Sequence, residues 1–191
     1  MPDHSRFTLP RSVAIAAVAV ATLAACDGGG LVGGGGGASD FSIDGSGGGW
    51  TSAPGSSEEP GDAQFHRHGV ATGVQLRAHD GERSVELFGM FLGQPEEPVF
   101  VEVQVRYEDG QGTVFERRPT LDSEGKGAEG IRWQRLELDH ENGTGRATVE
   151  LDIPVCVDQY SGPLEYETVC HQIEGRFDTT LVHNPRLRVL R

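Results

Sequence analysis

His66 and His68 stand two residues apart, so an extended chain puts both imidazoles on one side, with His79 and Asp80 following as further donors. Neutral imidazole nitrogen and carboxylate oxygen are ordinary ligands of zinc and its neighbours, and the pattern therefore suits a transition metal. The pair lies just ahead of the first strand read from the sequence, where histidines are usually exposed, and this favours a solvated leader. No metal or other cofactor is expected, and His66 and His68 stand as the candidates should one bind. The acidic stretches at 122–129 and 139–141 offer oxygen ligands for calcium but lack the regular spacing and central glycine of an EF-hand loop. They read as solvated turns. No GxSxG elbow and no HExxH helix occur, so acyl transfer and zincin chemistry lose their usual signatures. Carboxylates for glycoside hydrolysis are abundant, but no spacing singles out a pair, and no catalytic residue is assigned. The glycine runs 28–30 and 33–37 are not followed by the lysine of a phosphate-binding loop.

The first 25 residues have the order of an export signal: Arg6 and Arg11 on a polar start, an apolar run from Val13 to Ala25, then small residues before a cysteine. The run is about thirteen residues long, and a bilayer-spanning helix needs roughly 20. Leu23-Ala24-Ala25-Cys26 resembles the lipobox of bacterial lipoproteins. The resemblance implies cleavage before Cys26, diacylglycerol on its thiol, and an exported protein held to a bacterial membrane on the periplasmic side or at the cell surface. Leu23 three residues before the cut fits poorly with ordinary cleavage to a free protein, which calls for a small residue there.

With Cys26 given to lipid by that resemblance, Cys156 and Cys170 remain as one pair, which an oxidising compartment normally joins in a disulfide. Closing a loop of this size stabilises a fold by about 3 kcal/mol in the chain-entropy model. Between the two cysteines run Tyr160-Ser161-Gly162-Pro163-Leu164-Glu165-Tyr166, read as a pinned loop. Tyr160 and Tyr166 are either the anchors of a partner-contact surface, since tyrosine gives contact area at low entropic cost, or rings laid down on the sheet.

These residues must be positioned by a chain of three parts. Residues 1–25 are the signal and 26–64 a lipidated cysteine with a tether. The segment 27–64 has fourteen glycines, six acids and no lysine or arginine. Such a composition buries too little apolar surface to offset ordering, so Phe41, Ile43 and Trp50 are read there as isolated residues without an ordered role. The domain proper is 65–191, a size suited to one core. Val99, Val101, Val103, Val105 and Tyr107 alternate with polar residues as in a half-buried strand, and so do Ala147, Val149, Leu151 and Ile153. Further strands are predicted at 70–78, 85–92, 113–117, 131–138, 173–182 and 187–190. In 131–138 the apolar parity slips between Trp133 and Leu136, which a β-bulge near Gln134 and Arg135 reconciles. Asp109-Gly110 and Asn142-Gly143 supply turns. About eight short strands without helical periodicity predict an all-β fold. An antiparallel β-sandwich, immunoglobulin-like in broad architecture, is favoured over a small β-barrel.

A net charge of −13 disfavours nucleic acid, which is bound by neutralising phosphates. The reading that follows is a membrane-tethered, non-enzymatic binding or structural module, with an envelope protein or polysaccharide as its partner. A small envelope hydrolase or carbohydrate-binding protein is one alternative and a metal-binding envelope protein another. Cys26→Ser removes the acceptor thiol, so the processed, membrane-attached form is expected to disappear. Fractionation of the native host, with the mass of the first mature residue, checks this: unaltered protein recovered soluble and without acyl mass contradicts the anchor.

Overall fold

The computed structural model describes residues 37–53, 61–162 and 165–186. Cys26, the export signal and the strand expected at 187–190 lie outside the described residues. Within them run eleven strands and no helix: β1 (Gly37–Ile43), β2 (Ser46–Gly47), β3 (Thr51–Ser52), β4 (Ala63–His68), β5 (Ala71–Asp80), β6 (Arg83–Leu92), β7 (Val99–Glu108), β8 (Val114–Arg117), β9 (Ile131–Asp139), β10 (Thr144–Gly162) and β11 (Glu165–His183). The molecule is all-β, as its alternating patterns require.

Two strand groups form its layers. In one, β10 and β11 make a long antiparallel hairpin, β9 lines the first half of β10, and β1 lines β11 from Ile173 to Thr179. In the other, β4 to β8 form an antiparallel meander. The groups meet where β8 touches β10 at the single pair Cys156↔Glu116, where β4 runs parallel to β11 at Val182↔Gln64 and His183↔Phe65, and where the two-residue β3 pairs with β1 on one side and with β5 at Thr51↔His79 on the other. A barrel requires a continuous ladder round the ring. Joints of one and two pairs are corners instead, so the fold is sandwich-like and the barrel alternative falls. The parallel contact also makes the sheet mixed where only antiparallel pairing was expected.

The core lies between the layers. Val149, Leu151, Ile153, Val155, Ile173 and Phe177 face Phe65, Val74, Leu76, Val85, Leu87 and Val105, all buried. Side chains interlock across the gap: Trp133 of β9 stacks on Phe100 of β7 with centroids 4.8 Å apart, and His171 of β11 meets the Phe115 ring of β8 at 4.4 Å. The parity slip in β9 has its expected cause. Thr148 opposes Arg135 and Val149 opposes Trp133, leaving Gln134 as the extra residue of a bulge.

The boundary at residue 65 needs correction. Phe41 is 1% exposed, Trp50 5%, and Ile43 is buried with them. Phe41 sits edge-on to both Phe177 and Trp50. The glycine-rich average of 27–64 hides a seven-residue strand, because the partner that completes its hydrogen bonds, β11, lies more than a hundred residues downstream. Two local choices fit it. Asp44 and Gly45 both take positive φ, the demand of a type I′ hairpin turn. Gly175 leaves room for Phe41, since a Cβ there would come within 2.3 Å of Phe41 Cδ1 and of the Asp40 carbonyl oxygen. His66 and His68 likewise belong to β4 and are not a leader. Val70, placed at a strand start from the sequence, is 80% exposed in the β4–β5 turn.

Phe41→Ala is therefore expected to cost about 3–5 kcal/mol, the range for truncating a buried phenylalanine. Urea unfolding measures it; no change would return residues 37–53 to the tether.

Candidate interaction site

Inward-facing residues of β10 carry odd numbers as far as Val155, and their partners on β11 are Ile173, Gly175 and Phe177. Beyond the pair Cys156↔Cys170 the two strands continue with largely exposed side chains, through Asp158↔Thr168 and Tyr160↔Tyr166 to Gly162↔Glu165. The segment read as a pinned loop is thus a two-stranded arm. Alternation places three rungs on its face turned away from the core side: the disulfide, Asp158 with Thr168, and the two tyrosines. Cys156 and Cys170 are disulfide-bonded with Cα atoms 4.1 Å apart, near the spacing of directly opposed, non-hydrogen-bonded residues in an antiparallel ladder. Thr168 Oγ1 donates to Asp158 Oδ1 at 2.7 Å, and Ser161 Oγ to the Glu165 carbonyl at 3.3 Å.

Tyr160 and Tyr166 are 66% and 73% exposed. Their rings meet edge to face, centroids 5.7 Å apart and planes at 70°. They lie against each other, so the reading in which both pack onto the sheet is set aside. They are the only exposed large aromatic residues among those described. Such a pair is worth about 0.5–1.5 kcal/mol beyond its area, too little alone to hold a hairpin in water. The disulfide at its root supplies the larger constraint.

The histidines come together in a way the sequence did not show. His66 Nδ1 and His183 Nε2 lie 3.3 Å apart in a hydrogen bond, His68 is a ring's width away, and His140 and His183 both pack on Phe65. Burial is the largest cause of a lowered His66 pKa, followed by the charges of His183 and His68. His140 is lowered by burial, then by Arg67 and His183. The His66 and His183 nitrogens point at each other, whereas ligands point at a shared ion. Among the described residues no three His, Cys, Asp or Glu side chains converge as a metal site requires.

A second pairing the sequence missed joins His171 Nδ1 to Asp44 Oδ2 at 2.6 Å, while the Gln172 amide donates to Asp44 Oδ1 at 2.8 Å. The hydrogen bond from His171, then that from Gln172, holds the Asp44 carboxyl below the usual carboxylate range. A carboxylate orienting an imidazole is also a catalytic device, but here the imidazole is wedged against Phe115 and Tyr107. The contact fastens the β1–β2 turn to β11.

An open groove of about 690 Å³ runs past Asp40, Arg132, Glu150, Asp152 and Arg176. Asp40, Arg176, Glu150 and Arg132 form one cross-strand row of alternating charge, with Arg132 and Glu150 at 3.7 Å. The carboxylates are interleaved with arginines where a hydrolase would converge two acids on one bond.

A comparison with protein-family models, with curated proteins and with solved structures finds no match to this chain.

For a histidine whose pKa is lowered on folding, the unfolded chain takes up protons first as pH falls. The stabilisation is complete above the ordinary value of 6.5 and is lost as pH drops from there through the lower folded value. Urea midpoints should fall between pH 7.5 and 5.5, above the carboxylate range, and fall less in His66→Gln. An equal fall in both proteins would remove His66 as a source.

Proposed function

We propose that the chain is an exported lipoprotein, attached through lipid on Cys26, whose β-sandwich is a non-enzymatic binding module of the cell envelope that meets its partner through the β10–β11 arm. The anchor half of this reading rests on Arg6, Arg11, the apolar run and Leu23-Ala24-Ala25-Cys26. Two or more acyl chains hold a protein durably on a bilayer, which the processing implied by a lipobox supplies. Strand β1 begins at Gly37. Eleven residue steps from Cys26 therefore bound the reach at roughly 36–40 Å, far less than a tether running to residue 64 would allow.

The single observation that carries the binding half is the exposed tyrosine pair on a covalently braced arm. Large aromatics cost free energy in water and are enriched at the centres of interfaces. Rings already ordered against each other, on strands already fixed by a disulfide, lose little further freedom on association.

A photo-reactive residue in place of Gln159, on the exposed arm, tests this in native cells. One dominant cross-linked partner is expected, lost in Tyr160→Ala and Tyr166→Ala while the stability of the fold falls by no more than the ring–ring contact is worth, about 1.5 kcal/mol. Large destabilisation with cross-linking retained would make the tyrosines structural, and no cross-link at all would remove the arm from function.

A further inference from the structure

We infer that the corner formed by Tyr160 and Tyr166, with Asp158 beside it, receives a lysine or arginine side chain from a basic segment of a protein partner. The inference rests on the binding role just proposed for the arm and names the chemistry that role selects.

The ring geometry comes first. In an edge-to-face pair one ring turns an edge to its neighbour, so its own two faces stay open, and rings at 70° make two walls of a corner. Aromatic faces carry negative potential and attract a cation held within about 6 Å of the ring centre. Neither tyrosine ring is covered by an arginine or lysine of this chain among the described residues; the cation–π contact that does occur is between Arg83 and Trp50, on another part of the fold. The electron-rich faces are unspent.

Charge points the same way. Asp158, Glu165 and Glu167 lie on the arm, and from Pro154 to Gln172 there is no lysine or arginine. Asp158 is one rung from the tyrosines on the same face, about 7 Å along the strand. The Thr168 hydroxyl fixes one of its carboxylate oxygens, and among the described residues the other meets no donor. A guanidinium or ammonium resting on the rings thus has an anchored carboxylate within a side chain's length. Next to the arm's root the carboxylates are already paired, Glu116 with Arg106 and Glu129 with Arg117. A chain of net charge −13 would also draw a basic partner in and repel acidic polysaccharide or phosphate.

The test uses the full processed protein in detergent and two fluorescent ten-residue peptides, one alternating arginine with glycine and one with citrulline in place of every arginine. The arginine peptide should bind and shift the ring-proton resonances of Tyr160 and Tyr166, and the neutral isostere should not. Replacing either tyrosine by leucine should weaken binding about three- to thirtyfold, the span of a surface to desolvated cation–π contact. Tyr160→Phe and Tyr166→Phe keep the ring faces and should stay within about threefold, and Asp158→Asn should weaken binding without disturbing the rings. Equal binding of both peptides, or binding untouched by the leucine variants and so due to net charge elsewhere, overturns the inference. A cross-linked native partner whose contacting segment is not basic overturns it too, while leaving the binding role of the arm in place.

Discussion

The antiparallel ladder between β10 and β11 is the constraint on which the rest of the molecule depends. It pairs nineteen-residue strands from Thr144↔Val182 to Gly162↔Glu165, and every other part of the first layer takes its position from it. Strand β9 is aligned by the outer edge of β10, β1 by the outer edge of β11, and two of the corners to the second layer are made on the same two strands, the third running through β3 from β1 to β5. Its inner side chains form one wall of the core. Where the facing layer stops, the ladder carries on, so a single element both builds the body and projects the exposed tyrosines.

That continuity sets two kinds of stability against each other. Within the body, burial fixes the register, because a slip of one residue would turn Val149, Leu151 and Ile153 outward. Past Val155 the pattern weakens to Val157 and Val169, both partly buried, and burial no longer specifies which residue faces which. The disulfide falls at this boundary. By joining two directly opposed residues it holds the register of the arm and so determines that both tyrosines emerge on one face.

Elements whose reason for existing is local were legible in the sequence: the alternation of β7 from Val103 to Tyr107, the apolar rows of β10, the parity slip that became the bulge at Gln134, and the Asn142-Gly143 turn. The first residues of β7 depart from the expected face, because a register shift against β6 turns Val99 and Val101 outward, 43% and 44% exposed, and Phe100 into the core. What was not legible depends on distant chain. Nothing near Phe41 announces β11, and glycine-rich surroundings outweigh its apolar signal in any local average. His183 reaches His66, and Asp44 reaches His171, across separations of 117 and 127 residues. The tyrosines were legible as a pair framed by cysteines, but their exposure was not, because period-2 alternation looks the same whether or not a second layer stands opposite. Two cysteines framing a short segment suggest a loop, whereas here they brace a continuing strand pair.

The pairing of β1 with β11 has a mechanical side. The strands are antiparallel, so Gly37 lies beside Thr179 at the end remote from the arm, and Ile43 lies beside Ile173 nearer to it. A pull on the chain at Gly37, opposed by a grip on the arm, drags β1 lengthwise along β11. The hydrogen bonds between them stand across the strands and are loaded together in shear, so they resist as a set. A pull from the opposite end of β1 would peel them one after another. The strand hidden in the glycine-rich segment is thus arranged as a clamp against tension between amino terminus and arm.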